Sequence, residues 1–189
     1  MENNQLFEQI VARAVQLGVF KANVVSTDEI PLDRAFRDMC ASNACGVYGK
    51  CHMCPPDVGD IAALMGEIKN YKHAFVYQTV TALEDSFDFE GMVDAKKQTY
   101  KLAQEFRKIF AELDVKDVLH LGAGGCGVCE TCAKRTNEPC RFPHLAMPSL
   151  EAYGVNVSGL AKAAGMKYIN GQDTVTYFGA VLFTCEEKA

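Results

Sequence analysis

Eight of the nine cysteines in this chain fall into two groups of four, and thiols gathered in this way do chemistry that scattered ones do not. Cys126, Cys129 and Cys132 follow one another as CxxCxxC, and after seven more residues comes Cys140, directly behind Pro139. Three thiolates at successive gaps of two residues wrap a short loop around three corners of a cube, and a remote fourth closes the last corner, which is how a [4Fe-4S] cluster is held. The usual bacterial run has its proline after the fourth cysteine, whereas here the proline precedes it. Glycines at 122, 124, 125 and 127 suit a loop that must fold tightly about an anionic core and turn bare N–H groups toward sulfur. Arg141, beside Cys140, can offset charge. Structural zinc is the alternative, although zinc prefers two separated CxxC pairs and would leave one of the three closely spaced thiols without a role.

The other group, Cys40, Cys45, Cys51 and Cys54, has gaps of four, five and two residues, a spacing that is neither the bacterial nor the plant-type ferredoxin run. Gly46, Gly49 and the Pro55-Pro56 corner can shape a loop around a second cluster, and His52 is a candidate ligand or hydrogen-bond donor. Zinc and a thiol redox pair at Cys51 and Cys54 remain open beside iron–sulfur. A redox CxxC wants a helix starting at its first thiol, and the two prolines oppose that. Cys185 has no local partner and reads as a small buried hydrophobe at the end of the last strand.

These loops need elements to hold them. Leu6, Ile10, Ala14 and Leu17 recur at helical spacing before Gly18, and Val19 to Ser26 read as a strand. Asp57 or Asp60 caps a helix in which Ile61, Leu64, Met65 and Ile68 share a face and which ends near Asn70. Phe75 to Val80 form a strand. A long amphipathic helix follows, with Ala95, Thr99, Leu102, Phe106, Ile109 and Leu113 along one side. The acidic residues Glu84, Asp85, Asp88 and Glu90 form its solvated entry. Val118 to Leu121 are a short strand that leads into the second cysteine group, Leu160 to Ala164 are helical, and Thr174 to Phe183 make a final strand. The run Phe178 to Phe183 is apolar on both faces and belongs at the centre of a sheet. The expected class is therefore α+β: residues 1–189 as one domain, a single mixed β-sheet of about four strands with helices packed on it, and two Cys-rich metal-binding loops at one end.

Composition narrows the function. Hydrophobic residues make up 49% and charged residues 23%, which is globular and leaves no room for a disordered tail. A net charge of −5 is the wrong sign for a surface that gains affinity by releasing counterions from phosphates, so nucleic acid is not an expected partner. The opening residues, Met1 to Gln5, show no basic n-region, and no run of about 18 apolar residues occurs, so neither export nor a membrane is expected and the cytoplasm is. Clustered thiols in a reducing compartment point to metal rather than disulfides. Gly122-x-Gly124-x-x-Gly127 matches a dinucleotide fingerprint, but cysteines occupy the start of the helix that motif needs. His73 and His120 read as packed residues within strands, and His144 as a surface residue or an outer partner of the second group.

Tyr48, Gly49 and Lys50 after Cys45, the Cys54-Pro55-Pro56 end, and the stretch through Pro139-Cys140-Arg141, Pro143, Pro148-Ser149, Glu151-Ala152 and Gly154 resemble the predicted metal-binding proteins of domain of unknown function 2284. The resemblance covers nearly the whole chain and implies cysteine-ligated metal, with iron–sulfur as the expectation, and no settled reaction. The family pattern more often carries a polar residue and an aromatic where Cys51 and His52 stand. If Cys40, Cys45 and Cys54 alone held a cluster, one iron would be open to substrate or to His52, and the protein would be a redox enzyme. The leading expectation is two [4Fe-4S] clusters, one on Cys126, Cys129, Cys132 and Cys140 and one on Cys40, Cys45, Cys51 and Cys54, exchanging electrons with a redox partner protein. A zinc-stapled binding module is the alternative of another class.

Overall fold

The computed structural model describes residues 2–185, and four strands at its centre lie side by side in the order β1 (Lys21–Ser26), β2 (His73–Ala82), β4 (Thr174–Cys185), β3 (Val115–Leu121). The α+β class and the four strands are as expected. The sheet is not mixed, because every neighbouring pair runs antiparallel. Strands alternating with helices suggested parallel neighbours. Instead β4, last in the chain, slots between β2 and β3, separating the two strands that the long helix α4 (Phe89–Glu112) connects.

Both faces of the sheet are covered, which explains the apolar run in β4. Side chains alternate across a strand. Ala74, Val76, Ala180 and Leu182 therefore meet Leu64 and Ile68 of α3 (Ile61–Ile68) and Leu160 and Ala161 of α5 (Val157–Ala163). Phe75, Tyr77, Val181 and Phe183 meet Ile10 and Ala14 of α1 (Glu2–Gln16) and Phe106 and Phe110 of α4. Asp60 caps α3 by accepting the Ala62 and Ala63 N–H groups at 2.9 and 3.1 Å. Asp88 caps α4 by accepting from Gly91 N–H at 2.8 Å. A further helix, α2 (Arg34–Asp38), was not expected, since five residues are too few to show a period. Among the described residues no helix is long and apolar enough to cross a membrane.

Gly179 in β4 marks a close approach. A Cβ there would lie 2.3 Å from Cζ of the fully buried Tyr77, and overpacking of this kind typically costs about 1–3 kcal/mol. Gly179→Ala is expected to lower the unfolding free energy by that amount in denaturant titrations.

The two strand histidines are packed residues, as expected. His73 lies between Phe7 at 4.8 Å and Phe183 at 5.5 Å between ring centroids. His120 sits edge-on to Phe110, and its burial, followed by the charge of Arg107, pushes it from 6.5 down to about 3. Below pH 6.5 the unfolded chain binds a proton that the folded chain refuses, so stability falls with acidity by about 1.4 kcal/mol per pH unit until the folded value is reached. Between pH 7.5 and 5 the native chain should therefore lose about 2 kcal/mol more than His120→Gln, as read from denaturant midpoints at each pH. Cys185 is partly buried and packs against the Phe75 side of the core.

Candidate metal centre

The first cysteine loop is built from α2 onward. Asp33 caps that helix through Ala35 N–H at 2.8 Å, and Arg37 ties it down by donating to the carbonyls of Ala152 and Gly59, both at 2.8 Å. A turn of 3-10 helix, Met39–Ser42, carries Cys40 and stops at Asn43, whose φ of 53° lies in the left-handed region. The Asn43 side chain then accepts from Tyr48 N–H at 3.1 Å, which curls the chain around Cys45. Gly49 N–H donates to the Pro55 carbonyl at 2.9 Å and closes the loop, leaving Cys51 and Cys54 buried and Cys45 exposed.

The second loop leaves β3 at Gly122, which is held beside Ser149 by bonds to Pro148 and Leu150 at 2.9 and 3.0 Å. The glycines that follow allow close approach. A Cβ on Gly125 would lie 3.4 Å from Cys54 Sγ, and one on Gly127 would lie 3.2 Å from the Tyr100 ring. Two groups some 80 residues apart in the chain are thus in contact. The junction is locked by a Lys134–Asp57 ion pair and by His52, whose Nε2 is 2.8 Å from the Glu138 carbonyl oxygen and donates to it in that tautomer. Of the two roles considered for His52, the structure places it in the hydrogen-bonding one.

Cys51 departs from the expected grouping. Its sulfur has the thiols of Cys54 and Cys132 and the N–H groups of Met53 and Cys126 around it. That of Cys54 has the largest effect, and together they push the Cys51 thiol well below its ordinary value against the opposing effect of burial. Cys54, beside the Cys51 sulfur and buried, is pushed up. Cys51 lines one enclosed space of about 20 Å³ together with Cys126, Cys129, Cys132 and Cys140. Cys40, Cys45 and Cys54 line a different cavity of about 550 Å³. Four and four in the sequence becomes three and five in space. The Cys51–Cys54 turn, closed by Cys54 N–H on the Cys51 carbonyl at 3.0 Å, carries one sulfur to each side.

Tyr100 of α4 is a neighbour of the site that the sequence reading missed. Its hydroxyl stands 3.7 Å from Cys126 Sγ and donates to the Leu145 carbonyl at 3.2 Å. Burial, and then the Cys126 sulfur, push this phenol up, so it stays protonated. The signal was an aromatic off the apolar stripe of the long helix. Arg141 reaches the Thr131 carbonyl and Glu138, each at 3.4 Å; desolvation and then the Cys126 sulfur push the Cys129 thiol up, and the Arg141 charge opposes them. His144 is exposed.

Among the described residues no three His, Cys, Asp or Glu side chains converge on a point where a bare ion would sit. The donor chemistry nonetheless fits a thiophilic centre: eight soft sulfurs on two touching loops, with glycine backbone between them, select iron–sulfur, zinc or copper(I) over magnesium or calcium. The larger cavity has room for a cluster, whereas the space of about 20 Å³ among the other thiols is smaller than a cluster as it stands. A family model described as a predicted metal-binding protein (DUF2284) matches residues 23–183. No curated protein and no solved structure matches the chain.

Proposed function

The chain belongs to the DUF2284 family of predicted metal-binding proteins, and on that premise we propose that it holds two [4Fe-4S] clusters and exchanges single electrons with a redox partner protein. The observation that carries the reading is the contact between a CxxCxxC loop and a second loop rich in thiols, with Gly125 against Cys54 Sγ. Cys126, Cys129, Cys132 and Cys140 hold one cluster, and Cys40, Cys45 and Cys54 hold the other, with Cys51 between them. When bound, such clusters supply one-electron redox chemistry.

The chain's own residues set the conditions for that chemistry. The Tyr100 hydroxyl lies beside Cys126, and burial of Cys51 and Cys54 keeps water from the junction. Hydrogen bonds to sulfur and solvent exclusion are the levers that set a cluster's potential. The net charge of −5 steers a partner with a basic face. Reduced thiols at this density suit the cytoplasm.

A second reading has its own observation. Cys51 lines one space with Cys129 and Cys132, which brings two CxxC pairs together, the arrangement structural zinc prefers. Metal analysis of anaerobically purified protein separates the two. Brown protein with about eight iron and eight acid-labile sulfide per chain is expected, and about four of each means one cluster. Colourless protein with stoichiometric zinc overturns the redox reading.

A further inference from the structure

We propose that a cleft beside the first cysteine loop, outside both sulfur-lined spaces, binds a small aromatic carboxylate, with Lys96 of α4 as the group that holds its charge. The cleft measures about 320 Å³, at the lower end of small-molecule sites, which run from roughly 300 to 1,000 Å³. No cysteine lines it, and it adjoins the cavity of Cys40, Cys45 and Cys54 across a shared wall of Gly124, Glu151, Val157 and Tyr168. Its occupancy does not depend on which metal the thiols hold.

The fold opens this cleft where β3 stops. β4 pairs with β2 from Thr174 to Phe183, but with β3 only between Ala180 and Cys185. The stretch from Thr174 to Gly179 thus keeps one edge without a partner strand, and such an edge offers free backbone N–H and C=O groups. α4 crosses beside it: the Tyr177 hydroxyl donates to the Met92 carbonyl at 3.0 Å, and Lys96 follows one turn later on the same helix face. A Cβ on Gly124 would lie 3.0 Å from Lys96 Nζ, so the ammonium occupies the room that a side chain there would need. Lys97 and Lys108 of the same helix pair with Asp94 and Glu105, whereas among the described residues the half-buried Lys96 has no carboxylate partner. A half-buried ammonium without a counter-charge attracts an anion. Thr176 accepts from the Asn170 side-chain N–H at 3.1 Å, which leaves its own O–H to donate to the same anion. Tyr168, stacked on the buried Phe178 with ring centroids 5.9 Å apart, gives a flat wall for an aromatic ring. Glu151 on the wall repels a second negative charge, which selects a monoanionic carboxylate over a phosphate dianion.

Equilibrium dialysis of the purified, metal-loaded protein against indole-3-acetate tests this, and because the chain has no tryptophan the indole fluorescence is read directly. Binding of about one equivalent is expected, with neutral indole-3-acetamide and inorganic phosphate each at least about tenfold weaker. Lys96→Met should weaken indole-3-acetate about tenfold and leave the acetamide unchanged, Tyr168→Ala should weaken both, and Lys97→Met should change neither. No saturable binding up to about 1 mM overturns the inference. So does acetamide binding as tight as that of the acetate, or acetate binding that Lys96→Met leaves intact or that Lys97→Met weakens equally. Tighter binding of phosphate overturns the assigned ligand class. None of these outcomes touches the metal content, so the cluster reading stands or falls separately.

Discussion

Alanine at Cys129 and alanine at Cys40 are each expected to halve the iron content, from about eight to about four per chain, and together to empty the protein. Cys129 lies in the tightly spaced run, near Cys126, Cys132 and Cys140. Cys51 lines the same space from the other loop and is not one of the four ligands proposed there, so it is not expected to replace Cys129. The double variant Cys51→Ala with Cys129→Ala should therefore match Cys129→Ala alone. Cys40 belongs to a set of three, so its removal leaves two thiols, too few to retain a cluster. Cys185→Ala, far from either loop along the last strand, should keep all the iron. Iron and sulfide assays read all of these. Full retention of iron in Cys129→Ala would show that the ligand set is wrong.

Gly125→Val should strip iron from the first centre although residue 125 belongs to the second loop. The added Cβ alone would stand 3.4 Å from both Cys54 Sγ and Val47 Cγ2, and the two methyls of valine would drive into them. Gly125 does not have a positive φ, so the backbone tolerates a side chain and the penalty is steric. Cys54 is buried and has nowhere to move without losing its place beside Cys40 and Cys45. The expected result is a loss of about half the iron, with the surviving signal that of the Cys126 to Cys140 centre. Gly66→Ala serves as the control. That position in α3 has open space around it, and alanine in a helix is favoured over glycine by about 1 kcal/mol, so iron content should not fall. Equal losses in both glycine variants would mean that general instability, not loop contact, governs the iron.

The helices and strands were legible because their signals are local. Ile61, Leu64, Met65 and Ile68 share a face only if the chain is helical, and Asp60 announces where that helix starts. The run Phe178 to Phe183 is apolar on both faces only if both faces are covered, and β4 does lie between two strands with helices on each side. Strand direction was not legible, since periodicity says which residues point inward and nothing about which neighbour a strand chooses. Nor was α2, because a five-residue helix leaves no period to read.

The same division runs through the site. Sequence by itself determined that eight thiols gather in two loops, because spacings such as CxxCxxC are properties of the chain, and that metal of the soft kind is the chemistry those thiols suit. Only the tertiary structure decided how the thiols are shared. Cys51 and Cys54 are neighbours in one motif, yet they line different cavities, because the second loop arrives with Cys126 and Cys132 beside Cys51 and the bare backbone of Gly125 against Cys54. Spacing counts residues along a line, whereas ligation is a matter of which sulfurs face the same volume. That is settled by what packs across the gap.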